Sequence, residues 1–114
     1  MASQGTLVRV PEVAVRKLAT RTVMPVYPES SKNRGTRGVA VAQVNVNETG
    51  LLTNVEIIEA PDSEIEQAVI RAVKYWKFNP ANVDGKAIPF VGKLTFYFVI
   101  NERQARVQNP RRFK

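Results

Sequence analysis

The 114-residue sequence contains no cysteine and no histidine. Their absence excludes a thiol nucleophile, a disulfide, an imidazole base and a zinc site built from cysteine and histidine. An enzyme with this composition would depend on carboxylates, lysine, tyrosine or serine, and no pair of carboxylates stands in a sequence context that would hold it in a cleft. We therefore expect a protein without catalytic residues, without a bound metal and without a cofactor.

Long apolar runs are also missing. The longest extend over only a few residues, whereas a transmembrane helix needs roughly 20. The first five residues have no basic segment followed by an apolar one, so they do not resemble a signal peptide. We expect neither a membrane anchor nor an export signal within these residues.

Basic residues are abundant, with 17 Lys and Arg against 10 Asp and Glu. A net charge of +7 suggests nucleic acid as a partner. However, residues 1–38 hold seven basic and two acidic side chains, residues 101–114 hold five and one, and residues 39–100 hold five and seven. The excess therefore lies in the flanks. The 44% apolar content of the chain is enough to fill the core of one domain.

Prolines divide the N-terminal part of the chain. Residues 6–10 are predicted to be extended, and residues 11–20 to form a short helix, because a proline in the first turn loses no hydrogen bond. The prolines within residues 25–28 favour extended backbone before them. A second short helix is predicted over residues 29–34, with Gly35 as its left-handed stop.

Two strands joined by a tight turn are predicted next. Residues 39–46 place four apolar side chains on one face, namely Ala40, Ala42, Val44 and Val46. Residues 47–50 are typical of a hairpin connection, with Gly50 at the position that takes a positive φ. Residues 51–58 then predict the returning strand.

The strongest helical pattern begins at Ser63. Ser63 and Glu66 have the spacing of a capping box, in which each side chain bonds the backbone N–H of the other residue. A continuous apolar stripe follows at helical spacing: Ile65, Ala68, Val69, Ala72, Val73 and Trp76. We interpret Trp76, at the end of the stripe, as a core residue.

Residues 93–100 predict the third strand. One face carries Leu94, Phe96, Phe98 and Ile100, and the other carries Lys93, Thr95, Tyr97 and Val99. The helix before this strand makes a crossover connection, which places the strand beside the first one, antiparallel to it and at an edge. The prediction is an α+β fold: a three-stranded antiparallel or mixed sheet in the order 2-1-3, one long helix on one face and short N-terminal helices. Residues 101–114 lose the periodicity and predict a basic tail.

Together these segments resemble the C-terminal domain family of TonB, the periplasmic energy transducer of Gram-negative outer-membrane transport. The resemblance covers roughly residues 22–100. It is carried by Pro25-x-Tyr-Pro, by Arg-Gly-x-x-Gly-Val before the first strand, and by Trp-Lys-Phe-x-Pro after the long helix. Each piece alone is a weak signal, whereas Trp76, Phe78 and Pro80 combined with the upstream Tyr-Pro form a fairly specific signature.

The resemblance implies a binding function. In that family the last strand takes up the TonB box, a short extended segment of a substrate-loaded outer-membrane transporter, as an added strand. Carried over, the box-binding edge is Lys93, Leu94, Thr95, Phe96, Tyr97, Phe98, Val99 and Ile100, and the same partner lies near Val26, Tyr27 and Pro28. Val26 is a departure, because the best-known members carry a glutamine there that contacts the box. Strand addition at an edge needs only unpaired N–H and C=O groups, which suits a chain without His or Cys.

A larger protein is implied as well. The transducers of this family are periplasmic and anchored to the inner membrane by an N-terminal transmembrane helix followed by a Pro-rich spacer. They pass energy from a proton-driven motor complex to the uptake of siderophores, vitamins or metal chelates. Neither the helix nor the spacer occurs in these residues, so we expect a fragment, a domain from a fusion or a solitary relative. Its predicted parts are a lead (1–21), a TonB-like domain (22–100) and a basic tail (101–114).

Other functions stay open at this point. One is a periplasmic TonB- or TolA-like adaptor that binds peptidoglycan or another envelope protein. A nucleic-acid module would need aromatic and basic side chains together on an exposed sheet face. Because Phe96 and Phe98 are predicted on the helix-covered face, we expect no nucleic acid as a partner. An exposed edge strand also allows pairing with a second copy as a homodimer.

Overall fold

A computed structural model of the protein describes residues 7–101 and 104–110. The helices are α1 (Glu12–Leu18), α2 (Glu29–Arg34) and α3 (Ser63–Val73). The strands are β1 (Val8–Arg9), β2 (Ala19–Arg21), β3 (Gly38–Val46), β4 (Leu52–Glu59), β5 (Lys77–Phe78), β6 (Ala81–Val83), β7 (Lys86–Ile88), β8 (Phe90–Asn101) and β9 (Gln104–Gln108). The first residue of the predicted extended segment, residue 6, and residues 102, 103 and 111–114 of the predicted tail lie outside the described residues. Across the described ranges, no helix has the length and apolar character needed to cross a membrane.

The main sheet has β3 at its centre, paired antiparallel with β4 on one side and with β8 on the other. These three strands therefore lie in the predicted order 2-1-3. Two further strands join them, because β1 pairs parallel with the start of β8 and β9 pairs antiparallel with its end. A mixed sheet agrees with the prediction, but its three strands and the edge position of the third were wrong, since the sheet has five strands and β8 has partners on both sides.

One of these added strands, β9, lies within the predicted basic tail. Within residues 104–108, Ala105 and Val107 are partly buried against the core while Gln104 and Arg106 are exposed. This is the period-2 pattern of a half-buried strand. It is short and lies between charged residues, so the sequence pattern alone suggested a structureless tail. The prediction that periodicity ends at residue 101 was therefore wrong for these residues.

The core lies between the sheet and α3. All six residues of the predicted helical stripe are buried, and so are the four predicted inward residues of β3. From β8, Phe90, Leu94, Phe96 and Phe98 close the same core. Burying a large apolar side chain stabilises a fold by about 1.5–3 kcal/mol. This layer therefore determines which face of β8 is inaccessible to a partner.

The N-cap of α3 is Asp62, so the predicted capping box was wrong. The Asp62 Oδ1 atom accepts a hydrogen bond from the Ile65 N–H at 2.7 Å. Asp62 has extended backbone angles, φ −155° and ψ 176°, whereas Ser63 already lies inside the helix. A carboxylate one residue before Ser63 provides the stronger acceptor for an unpaired amide at the positive end of the helix dipole.

Both short N-terminal helices are present. Pro28 precedes α2, and Gly35 ends it with a left-handed φ of 71°, as predicted. Helix α1 begins after Pro11 and ends at Leu18, because the next residues pair with β5 as strand β2. Val15 is the buried residue of α1, so this helix is part of the packed structure.

Candidate functional site: the outer edge of β8

Strand β8 has a paired inner edge. It pairs with β3 over nine residues, from Gly38 opposite Phe98 to Val46 opposite Phe90. On its two faces the predicted alternation is confirmed. Leu94, Phe96 and Phe98 are buried, Ile100 is partly buried, and Lys93 and Tyr97 on the opposite face are exposed. A partner strand can therefore reach β8 only along its outer edge.

The backbone groups at that edge are identified by their contacts. The Val91 carbonyl accepts from the Val10 N–H at 3.0 Å, and the Thr95 N–H and carbonyl bond side chains of α1. Because alternate residues of a strand direct their N–H and C=O to the same edge, the backbone groups of Tyr97 and Val99 also point to the outer edge. Those two residues pair with Gln108 and Arg106 of β9.

The outer edge is closed by three segments of the chain itself. Strand β1 pairs with Phe90 and Val91, α1 covers Thr95, and β9 pairs with residues 97–101. The predicted edge residues are thus correctly placed on one strand, but that strand is not an open edge in this structure. The physical reason is that β8, with 12 residues, has many backbone N–H and C=O groups along its outer edge. Hydrogen bonds from β1, α1 and β9 satisfy them within the chain.

An ion pair from α1 covers the centre of the edge. Glu12 accepts from the Thr95 N–H at 2.6 Å and from the Thr95 hydroxyl at 2.7 Å. Arg16 donates to the Thr95 carbonyl at 2.7 Å and to a Glu12 carboxylate oxygen at 3.0 Å. The Arg16 and Glu12 side chains are only 12% and 14% exposed. Two side chains thereby make the backbone contacts that a neighbouring strand would otherwise make.

Arg16 also links the edge to its surroundings. Its guanidinium carbon lies 5.5 Å from the ring centroid of Phe96 and 5.9 Å from that of Trp76. Another guanidinium nitrogen donates to the Asn109 side-chain oxygen at 2.9 Å, directly after β9. A partly desolvated cation over an aromatic ring is attracted by about 0.5–2 kcal/mol. The side chain is therefore held between α1, the core and the C-terminal strand.

The predicted partner-proximal segment lies beside the same strand. Tyr27 is buried, its ring meets that of Phe98 edge-on at 5.2 Å, and its hydroxyl donates to the Thr36 carbonyl. Burial raises the pKa of the Tyr27 hydroxyl. Val26 is 79% exposed, and Pro28 begins α2. Tyr27 is thus a packing residue, and Val26 is the member of this segment that a partner can reach.

The signature residues after α3 anchor that segment. Trp76 is 4% exposed, and its indole nitrogen donates to the Val23 carbonyl at 2.8 Å. Its ring stacks on Phe78 at 6.0 Å and meets Phe96 edge-on at 6.1 Å. Pro80 lies beside Gly50, where an added Cβ would also collide with the Phe78 carbonyl. The prediction of Trp76 as a core residue is confirmed.

Asp62 accepts hydrogen bonds from three different residues. Besides capping α3, it accepts from the Ser31 hydroxyl and from the Arg34 guanidinium, each at 2.8 Å. Burial by itself would raise the pKa of Asp62, but the hydrogen bonds from Ile65, Ser31 and Arg34 outweigh it and hold the pKa below the ordinary value. This cluster fixes α2 against α3.

A shallow apolar groove lies next to Val26. Its volume is about 250 Å³, and it runs between the segment from Val23 to Val26 and the exposed end of α3, with Met24, Arg71 and Tyr75 in its walls. Tyr75 is 58% exposed.

Glu12 and Arg16 were not among the predicted site residues. Their i,i+4 spacing on a short helix indicates a local ion pair, and that pair forms. Nothing in the spacing indicates that both side chains also bind Thr95, which is 83 residues from Glu12 and 79 from Arg16. The predicted burial of Phe96 and Phe98 is confirmed, so neither ring is available for the base stacking that RNA-binding sheets use.

A family model described as Gram-negative bacterial TonB protein C-terminal matches residues 23–100. The chain is 28% identical over 85 residues to Protein TonB of Vibrio cholerae serotype O1, which covers 74% of this chain and 35% of that protein. It is 26% identical over 81 residues to Protein TonB of Pseudomonas aeruginosa, which covers 70% of this chain and 24% of that protein. The chain thus spans about a quarter to a third of the length of these relatives.

The fold is similar to a solved structure as well. The solution NMR structure of the Pseudomonas aeruginosa TonB CTD superimposes with a TM-score of 0.60 at 25% sequence identity. The match covers 75% of this chain and 88% of that one.

Proposed function

The chain belongs to the TonB C-terminal family, and on that premise we propose that it binds an extended segment of an outer-membrane transporter, the TonB box, by strand addition to the outer edge of β8. The supporting observation is that this edge already holds an added strand. Five residues of β9 pair with β8 from Tyr97 to Asn101. A transporter segment would make the same backbone contacts, with its alternate side chains supplying selectivity.

The partner's strand would replace β9 at residues 97–101. Strand β9 has five residues: Gln104 and Arg106 are exposed, and two apolar side chains, Ala105 and Val107, pack against the core. Short terminal segments with little buried surface open more readily than a core strand does. Val26, exposed beside Tyr27, would contact the bound segment through its apolar side chain. It would make no side-chain hydrogen bond to that segment.

In this proposal the domain acts as a periplasmic binding and force-transmitting module and not as an enzyme. A region outside these residues would connect it to the inner membrane and to a proton-driven motor complex. The energy passed to the transporter would serve the uptake of siderophores, vitamins or metal chelates. Trp76, Phe78 and Pro80 would keep β8 and the segment around Tyr27 together under load, since both pack on one aromatic cluster.

The test is a titration of the ¹⁵N-labelled chain with a synthetic TonB-box peptide from a transporter of the same organism. We expect the largest amide shifts in residues 93–100, together with loss of the β9 pairing at Tyr97 and Val99. The control is the same peptide with proline at alternate positions, which lacks the N–H donors that strand addition needs. Unchanged amide signals in β8 at saturating peptide would reject the proposal. Shifts produced instead by soluble peptidoglycan fragments would favour the TonB- or TolA-like adaptor.

Self-association stays a separate prediction. With β8 closed, β4 is the outermost strand on one side of the main sheet, and β1 and β9 are outermost on the other. Because β4, with eight residues, is the longest of these edge strands, a homodimer would form most directly through β4. Light scattering behind size exclusion, over a range of concentrations, measures it directly.

A further inference from the structure

The centre of the β8 edge is closed by side chains and not by a strand. Between β1, which ends at Arg9, and β9, which ends opposite Tyr97, the Thr95 N–H and carbonyl are bound by Glu12 and Arg16. A partner strand that runs the length of the edge needs that same donor and that same acceptor. The ion pair and the partner therefore compete for the backbone of one residue.

The ion pair is held in place by packing. Val15 of α1 sits directly over Gly92 of β8, where an added Cβ would collide with the Val15 side chain. Just before α1, the Val10 N–H donates to the Val91 carbonyl at 3.0 Å. These contacts seat α1 against the strand so that Glu12 and Arg16 reach Thr95 with hydrogen bonds of 2.6–2.7 Å. Charge-assisted bonds of this length are the stronger kind.

Helix α1 and the residue that follows β9 meet at this point. Arg16 bonds Asn109, which follows β9, and it also bonds Thr95 and Glu12. Displacement of β9 takes Asn109 away from Arg16, but the bonds to Thr95 remain. Removal of β9 alone thus exposes residues 97–101 and leaves the centre of the edge closed.

We propose that Glu12 and Arg16 form a latch that closes the centre of the β8 edge against an added strand and must release Thr95 before a partner can pair along the full strand. The latch rests on the proposed function for its partner, but its closure of the edge is a property of the free chain. Glu12 and Arg16 would thereby determine how much of β8 a partner engages and how tightly it binds.

The experiment compares the full chain with Glu12→Ala and, as a matched control, Glu29→Ala. Glu29 also pairs with a basic residue on a short helix, Lys32 at 3.2 Å, but its side chain is 78% exposed. Amide hydrogen exchange of the peptide-free proteins is measured at Thr95 and at Val44, whose amide in the middle of β3 reports opening of the core. The affinity of each protein for the TonB-box peptide is then measured by titration.

In Glu12→Ala we expect Thr95 to exchange roughly tenfold faster while Val44 is unchanged, since a local opening no longer breaks a charge-assisted bond. The peptide should bind roughly three- to tenfold more tightly than to the wild type, because its strand no longer competes with a carboxylate. Glu29→Ala should match the wild type in both measurements. Glu12→Gln, which keeps an acceptor without the charge, should give intermediate values.

Two results would overturn the latch: an unchanged Thr95 exchange rate in Glu12→Ala relative to Glu29→Ala, or peptide binding that is measurable and equally tight in wild type and Glu12→Ala. If Thr95 exchange rises but the peptide binds none of the proteins, strand addition of the TonB box fails as the function while the closure of the edge by Glu12 is supported. The two proposals therefore fail separately.

Discussion

The indole N–H of Trp76 donates to the backbone carbonyl of Val23 at 2.8 Å, joining two segments that are 53 residues apart in sequence. The same tryptophan stacks on Phe78 and meets Phe96 of β8 edge-on. One side chain thus connects the end of the long helix, the core face of β8 and the segment that leads to Tyr27. It explains physically why the Trp-Lys-Phe-x-Pro run and the Tyr-Pro pair occur together in this chain.

Replacing Trp76 with phenylalanine tests that connection. The ring remains apolar but loses its donor and part of its volume, so the Val23 carbonyl loses its partner and a cavity remains. We expect the free energy of unfolding to fall by about 1–3 kcal/mol, measured by urea denaturation. Tyr75→Phe, at the exposed neighbouring position, is the control and should change it by less than about 0.5 kcal/mol. Equal stabilities for the two variants would contradict the anchoring role.

Asp62 makes stability depend on pH. Its pKa in the folded state is lowered, because three hydrogen bonds to the carboxylate outweigh the effect of its burial. A carboxylate of this kind stabilises the fold above its unfolded pKa of about 3.9 and loses that contribution as pH falls through the lower folded value. At neutral pH we expect Asp62→Asn to be less stable than the wild type by about 1 kcal/mol.

The pH series provides the decisive comparison for Asp62. Below about pH 4 the difference between Asp62→Asn and the wild type should shrink, because the wild-type carboxyl becomes protonated too. Thermal unfolding from pH 7 to pH 2.5 measures it. Asp84→Asn, in the exposed β6–β7 turn, is the control and should stay within about 0.5 kcal/mol of the wild type throughout. A difference for Asp62→Asn that is constant over the whole range would show that its charge does not contribute.

Gly92 allows α1 to approach β8, and its replacement should push the helix away. In Gly92→Ala the new methyl group would collide with the Val15 side chain. Overpacking of this kind typically costs about 1–3 kcal/mol. The sharper measurement is a double-mutant cycle with Val15→Ala, which removes the colliding atoms. We expect Gly92→Ala to cost at least about 1 kcal/mol less in the Val15→Ala background than in the wild type. Additive effects would mean that the helix is not seated by this contact.

How much of the fold the sequence predicts depends on the length of each repeating pattern. Helix α3 has five buried positions at helical spacing, and β3 has four at strand spacing, so both were predicted closely. Helix α2 was predicted to the residue, because Pro28 and Gly35 mark its two ends. Strand β1 has two residues and β9 has five, with charged neighbours. Patterns that short are compatible with loop, strand or tail.

The candidate site shows the same limit in a different form. The exposed face of β8 follows from alternation along one strand. The closure of its outer edge at Thr95, however, depends on Arg16 and Glu12, which are 79 and 83 positions away in sequence. Asp62 capping α3 in place of Ser63 has a similar origin, since Ser31 and Arg34 from α2 add to its bonds. Contacts between distant segments decide these features, and a single sequence carries no periodic signal for them.

The pairing of β9 with β8 predicts that one backbone N–H controls access to the end of the edge. Val99 faces outward and lies opposite Arg106, so Arg106→Pro removes an N–H from the ladder between them. We expect this variant to release β9, to bind a TonB-box peptide roughly three- to tenfold more tightly than the wild type, and to lose little global stability. Arg106→Ala, which removes the charge but keeps the N–H, is the matched control and should retain wild-type affinity.

Glu12 and Arg16 still cover Thr95 in Arg106→Pro, so the Thr95 amide should stay protected from exchange until peptide is added. Tighter binding in both Arg106 variants would assign the effect to charge, and unchanged binding in both would show that β9 does not compete with the partner.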